Sequence, residues 1–136
     1  MFFESHFTVP ANTTETAPYT EHIKLKHGVI HYVEAIPWGY AVDILQARVE
    51  LGLHSIFPTD GSDHISFGGH PVAGKVHQLI ATPPYEVTAL AWNSSTLYSH
   101  SFTLRLWMLP EELLMPTPKV WQEFRAWFER LIRGGR

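Results

Sequence analysis

The sequence predicts an all-β fold: an antiparallel β-sandwich of about eight strands, jelly-roll-like, followed by a C-terminal amphipathic α-helix. Three observations carry that expectation. Between Phe2 and Leu109 the apolar residues recur in short runs, mostly at period two, so each run turns one face toward a core. Clusters of Pro, Gly, Asn and Asp break those runs at the spacing of short strands, with no long helical pattern between them. After Pro110 the apolar period becomes that of a helix.

Phe2 to Val9 reads as the first strand, and Pro10 to Pro18 as a polar arm bounded by prolines that cannot donate to a ladder. Tyr19 to Lys26 places Ile23 and Leu25 on one face, and His27-Gly28 suits a turn into Val29 to Ile36, which predicts a hairpin. Pro37-Trp38-Gly39 ends that run. Ala41 to Leu53 alternates Leu45, Ala47, Val49 and Leu51 against Gln46, Arg48 and Glu50. Its residues are also good helix formers, but the alternation belongs to a strand. Pro58 to Asp63 is a turn cluster, Ile65 to Phe67 a brief strand, Gly68 to Lys75 a flexible loop and Val76 to Ala81 the next strand. Pro83-Pro84 breaks the chain again. Tyr85 to Trp92 and Ser99 to Leu109, joined across Asn93-Ser94-Ser95, predict a long final hairpin.

In the tail, Pro110 to Met115 can form one helical turn, and Thr117 can cap a helix that begins at Pro118 and stops at Gly134-Gly135. At roughly 100° per residue, Val120, Trp121, Phe124, Trp127, Phe128, Leu131 and Ile132 share one face. Lys119, Gln122, Glu123, Arg125, Glu129, Arg130 and Arg133 lie opposite. The chain thus divides into an N-terminal strand and arm (1–18), a sandwich core (19–110) and a helical extension (111–136).

Composition narrows the function. A length of 136 residues fits one domain, and 10 basic against 13 acidic residues leave no electrostatic footprint for nucleic acid. Charged residues make up 17%, below the roughly 25% of typical domains, while aromatics reach 13%. Such a surface is expected to face another chain. The absence of cysteine excludes disulfides, thiolate zinc sites and thiol nucleophiles. The first ten residues lack the basic and apolar regions of a secretion signal, and no run approaches a membrane span, so synthesis in the cytoplasm is expected. The sequons at Asn12 and Asn93 are accordingly expected to stay unmodified.

Nine histidines raise the question of a metal, with His54, His64, His70 and His77 in one stretch. The chain has no His-x-His pair and no His-Glu-x-x-His, so a His-dependent metal enzyme is the weakest reading. Gly61-Ser62-Asp63-His64 holds the letters of a nucleophilic site, but adjacent strand residues point to opposite faces, and the segment reads as a turn with Asp60-Gly61 at its apex. Glu111-Glu112 read as first-turn residues, and Gly74-Lys75 lacks the phosphate-loop spacing. No catalytic residue, metal ligand or cofactor is assigned. Exposed aromatics could stack on sugars, so Trp38, Tyr40, Trp92, Tyr98 and Trp107 are candidates for a carbohydrate-binding alternative, with Trp38 and Trp92 as its stacking residues. The helix suits a protein partner better than a membrane surface, because Glu123 and Glu129 sit on its polar face.

Several segments together resemble the small β-sandwich accessory and decoration proteins of tailed bacteriophage virions. They are Thr8-Val9-Pro10-Ala11-Asn12-Thr13, Gly28-Val29-Ile30-His31, Pro83-Pro84-Tyr85-Glu86-Val87-Thr88, Trp92-Asn93 and Tyr98 to Pro110. The resemblance covers residues 2 to 110 and leaves out the helix from Thr117 to Arg133. It implies a non-enzymatic structural protein that forms a homo-oligomer and attaches to a capsid or tail protein. Independently of the resemblance, extended arms and amphipathic helices bury area on a neighbour without altering the core, so self-association is expected through the N-terminal arm and the C-terminal helix. The interface residues expected there are Phe2, Phe3 and Phe7 in the first strand and Val120, Trp121, Phe124, Trp127, Phe128, Leu131 and Ile132 in the helix.

Overall fold

The computed structural model describes residues 1–39, 43–110 and 118–134, with side chains in the last segment from Gln122 onward. Its strands are β1 (Phe2–Val9), β2 (Tyr19–Lys24), β3 (Gly28–Trp38), β4 (Leu45–Leu51), β5 (His54–Phe57), β6 (Ile65–Ser66), β7 (Val72–Ile80), β8 (Glu86–Asn93) and β9 (His100–Leu109). Among the described residues one helix, α1 (Pro118–Gly134), follows them.

The strands form two antiparallel sheets, one ordered β1-β9-β3-β7 and the other β2-β8-β4-β5, with β6 also on β4. Val49 to Leu51 pair with β5, whereas Gln46 and Ala47 pair with β6 on the same edge. Strands β5 and β6 therefore act as one strand interrupted by the Pro58–His64 loop. Counted so, the chain is a long hairpin with β1 against β9, β2 against β8, β3 against β7 and β4 against β5. Rolling that hairpin sends alternate pairs into opposite sheets, which is the jelly-roll arrangement.

The core lies between the sheets. Alternation supplies it: Leu45, Ala47 and Val49 of β4, Val87, Ala89 and Ala91 of β8, and Phe102, Leu104, Leu106 and Met108 of β9 are all buried. In β3 the register shifts between Ile30 and Tyr32, a bulge that keeps Ile30 and Val33 inside and turns Tyr32 outward. The core cluster runs from Phe7 to Met108 and, among the described side chains, includes none from α1.

Two predicted hairpins do not form. Strand β2 pairs with β8, and β3 lies in the other sheet between β9 and β7. Gly28 is no turn residue: a Cβ there would sit 2.9 Å from the Leu109 carbonyl oxygen, so the glycine allows two strands to meet closely. The final pair is likewise split, because β8 joins β2 and β4 while β9 joins β1 and β3. The crossing between sheets is held by Asn93, which has no solvent exposure. Its Nδ2 donates to the carbonyls of Val9 (3.1 Å) and Tyr98 (2.9 Å), and its Oδ1 accepts from Ser95 N (3.0 Å). Its backbone N–H and carbonyl both engage Thr13, so the Pro10–Pro18 arm is tied down on the sandwich.

Two further boundaries move. Val72 to Lys75, expected in a flexible loop, belong to β7. Strand β5 is additional to the strands expected from sequence; it returns from β4 through Gly52-Leu53, with Gly52 at φ 62. The helix begins at Pro118 as expected. The predicted turn at residues 111–115, its Glu111-Glu112, the Thr117 cap, Tyr40 and the first residues of the predicted Ala41–Leu53 strand lie outside the described residues.

Candidate functional site

Three surfaces carry the residues singled out by sequence. The first is α1, whose residues Gln122 to Gly134 are all exposed. The helical period puts Phe124, Trp127, Phe128, Leu131 and Ile132 together, and Trp127 is 52% and Ile132 62% exposed. Phe124 stacks on Phe128 at 6.4 Å between ring centroids and tilts against Trp127 at 6.0 Å. The stripe is thus a continuous apolar surface. The side chains of Val120 and Trp121 lie outside the described residues.

The second surface is the outer face of the β1-β9-β3-β7 sheet, organised in rows across the strands. Phe2, Trp107 and Tyr32 are cross-strand neighbours, with ring centroids 5.1 Å and 5.2 Å apart. Two residues along, Glu4, Arg105 and Glu34 face one another. Arg105 Nε lies 2.9 Å from Glu4 and Nη1 lies 3.3 Å from Glu34. In the third row, His6 Nδ1 lies 2.7 Å from Thr103 Oγ1, and Trp38 Nε1 donates to the same oxygen at 2.6 Å. Trp38 remains 56% exposed, so its indole is fixed at one edge and open on the surface. A shallow groove of about 540 Å³ lies beside the first row, lined by His31, Tyr32, Lys75, Val76 and Trp107 among others.

Strand β1 separates the expected interface residues. Phe2 and the side chains at Glu4 and His6 point outward, whereas Phe3 packs on the core and Phe7 is 2% exposed. Phe7 lies 4.9 Å from Phe102 in the core and presents no surface for a partner, which corrects its assignment as an interface residue. The parity is readable in the sequence, since Phe3, Ser5, Phe7 and Val9 share one face.

The third surface surrounds Trp92, which points out of the β2-β8-β4 sheet yet is only 5% exposed. Its Nε1 donates to Gln46 Oε1, the Arg48 guanidinium lies 5.6 Å from its ring centroid, and His64 meets it edge-on at 5.3 Å. Arg48 is itself held by Glu50 at 2.9 Å and by Glu15 of the arm at 3.6 Å. No indole face is left for a ligand, so Trp92 is removed as a sugar-stacking residue; its place in the fold is a polar-edged hydrophobic contact.

His54, His70 and His77 are exposed on separate elements while His64 sits against Trp92. Among the described residues no group of three or more His, Cys, Asp or Glu could hold a metal ion. Asp60 caps the turn as read from sequence: its Oδ1 accepts from Ser62 N at 2.9 Å, and this hydrogen bond holds the carboxyl below its ordinary value. Of the two sequons, Asn93 is sealed in the core, whereas Asn12 is exposed. No described helix is long and apolar enough to cross a membrane. Comparison with family models, curated proteins and solved structures gives no match.

Proposed function

We propose that this chain is a non-enzymatic structural protein that self-associates through its C-terminal helix, and that the assembly it serves is a virion. There it would act as a capsid decoration or a tail or neck accessory protein. The observation that carries the reading is the exposed apolar stripe of α1, none of whose described side chains belongs to the core of the sandwich. Stable proteins rarely leave such a stripe in water, and a helix with an apolar face binds by laying that face on a complementary surface. The aromatic row Phe2–Trp107–Tyr32 offers a second apolar patch for contact with a capsid or tail protein. The virion setting draws on the resemblance of residues 2 to 110 to phage accessory proteins and on the use of jelly rolls in viral shells.

The test is the mass in solution of the full chain against a version ending at Pro116. An oligomer that becomes monomeric on truncation supports the reading; a monomer in both forms overturns it. A second reading rests on Trp38, whose exposed indole is held rigidly by Thr103 and His6, as a carbohydrate platform requires. Glycan-array binding lost in Trp38→Ala would favour it, and an array without signal would exclude it for the glycans displayed.

A further inference from the structure

We propose that α1 pairs antiparallel with α1 of a second copy, with Glu123 of each chain opposite Arg130 of the other; this rests on the self-association proposed above and specifies its geometry. Phe124, Trp127 and Leu131 recur at intervals of three and four, the spacing of a two-helix seam. Phe128 flanks that seam on one side. Glu123 and Arg130, one heptad apart and both exposed, flank it on the other.

The charges select the orientation. In a parallel pair, flanking positions meet those on the opposite side of the partner seam five residues later, so Glu123 would face Phe128 and Arg130 would face a glycine position. Neither charge would gain a partner. In an antiparallel pair, positions on the same side meet, and Glu123 faces Arg130 of the second copy while Arg130 faces its Glu123. One contact thus occurs twice about a two-fold axis, as an isologous dimer requires. Within its own helix Arg130 has only Ala126, Trp127, Arg133 and Gly134 at three and four residues' distance, so no acidic neighbour there is placed to pair with it. Opposed helix dipoles favour the same orientation.

The area is sufficient for this occupant. Phe124, Trp127, Phe128 and Leu131, each about half exposed, present on the order of 100 Å² apiece, and with the flanking stems of Glu123 and Arg130 at about 50 Å² each a pair would bury about 1,000 Å². That reaches the lower bound for a specific interface.

The experiment uses the full chain and four samples besides wild type: Glu123→Arg, Arg130→Glu, the double variant, and an equimolar mixture of the two single variants. Light scattering and sedimentation measure the dimer constant, and thermal melting confirms an intact sandwich. Each single inversion places like charges together twice and is expected to weaken dimerisation about tenfold. The double variant and the mixture both restore the opposite-charge contacts and are expected to recover wild-type affinity. A dimer indifferent to every inversion would overturn the antiparallel pairing while leaving self-association standing. A wild-type chain that remains monomeric would overturn both.

Discussion

Replacing Asn93 by alanine should be among the most damaging single substitutions in the sandwich that leaves its apolar core untouched. The side chain makes three hydrogen bonds, at 2.9 to 3.1 Å, to Val9, Tyr98 and Ser95. Val9 has no solvent exposure, so removing the amide takes a donor from its carbonyl where water cannot replace it, at about 1–3 kcal/mol. The other two bonds contribute about 1 kcal/mol each, giving a loss of about 4 kcal/mol for Asn93→Ala. For a domain of this size that is a fall in Tm of about 10–15 °C by calorimetry. Ser94→Ala is the control, because Ser94 is exposed and its hydroxyl reaches Ile44 O only at 3.4 Å. Its stability should stay within about 0.5 kcal/mol of wild type. If Asn93→Ala melted within about 3 °C of that control, the assignment of Asn93 as the polar tie between the sheets would be wrong.

Other substitutions separate fold from assembly. Gly28→Ala drives a methyl to 2.9 Å from Leu109 O and should cost about 1–3 kcal/mol in denaturant unfolding, whereas a neutral result would mean β3 and β9 can separate freely. Trp127→Glu, on the exposed helix, should leave the sandwich melting within about 0.5 kcal/mol of wild type while abolishing self-association, and a large loss of stability would place the helix in the fold instead. Partial burial and then the Glu21 carboxylate hold the Tyr19 phenol above the ordinary tyrosine value. Because the folded state binds that proton more tightly than the unfolded chain, the contribution is intact below about pH 10 and is lost as pH climbs through the raised value. Absorbance titration should show Glu21→Gln moving this transition back down.

The strands are legible in the sequence wherever one face is buried, because period two fixes which residues turn inward. The alternation of Leu45, Ala47 and Val49 and that of Phe102, Leu104, Leu106 and Met108 mark β4 and β9 by residue type and spacing alone. Pairing is not legible, since the same alternation suits any neighbour. His27-Gly28 and Asn93-Ser94-Ser95 both carry turn chemistry, yet one leads into a close strand contact and the other crosses between sheets. Strand β5, four residues long, falls below the length at which periodicity speaks, although Gly52 marks the return. Trp92 shows the limit for surfaces: its parity points outward, but Arg48 from a neighbouring strand and His64 from a distant loop cover it. The helical stripe is readable because every residue needed for it lies within one element.

The most direct measurement is the mass of the full chain in solution, followed by light scattering across a hundredfold range of concentration. Self-association through α1 predicts a mass that rises with concentration from the 15.5 kDa of one chain to twice that value. A mass that stays at one chain throughout would contradict it and leave the exposed stripe without its proposed partner.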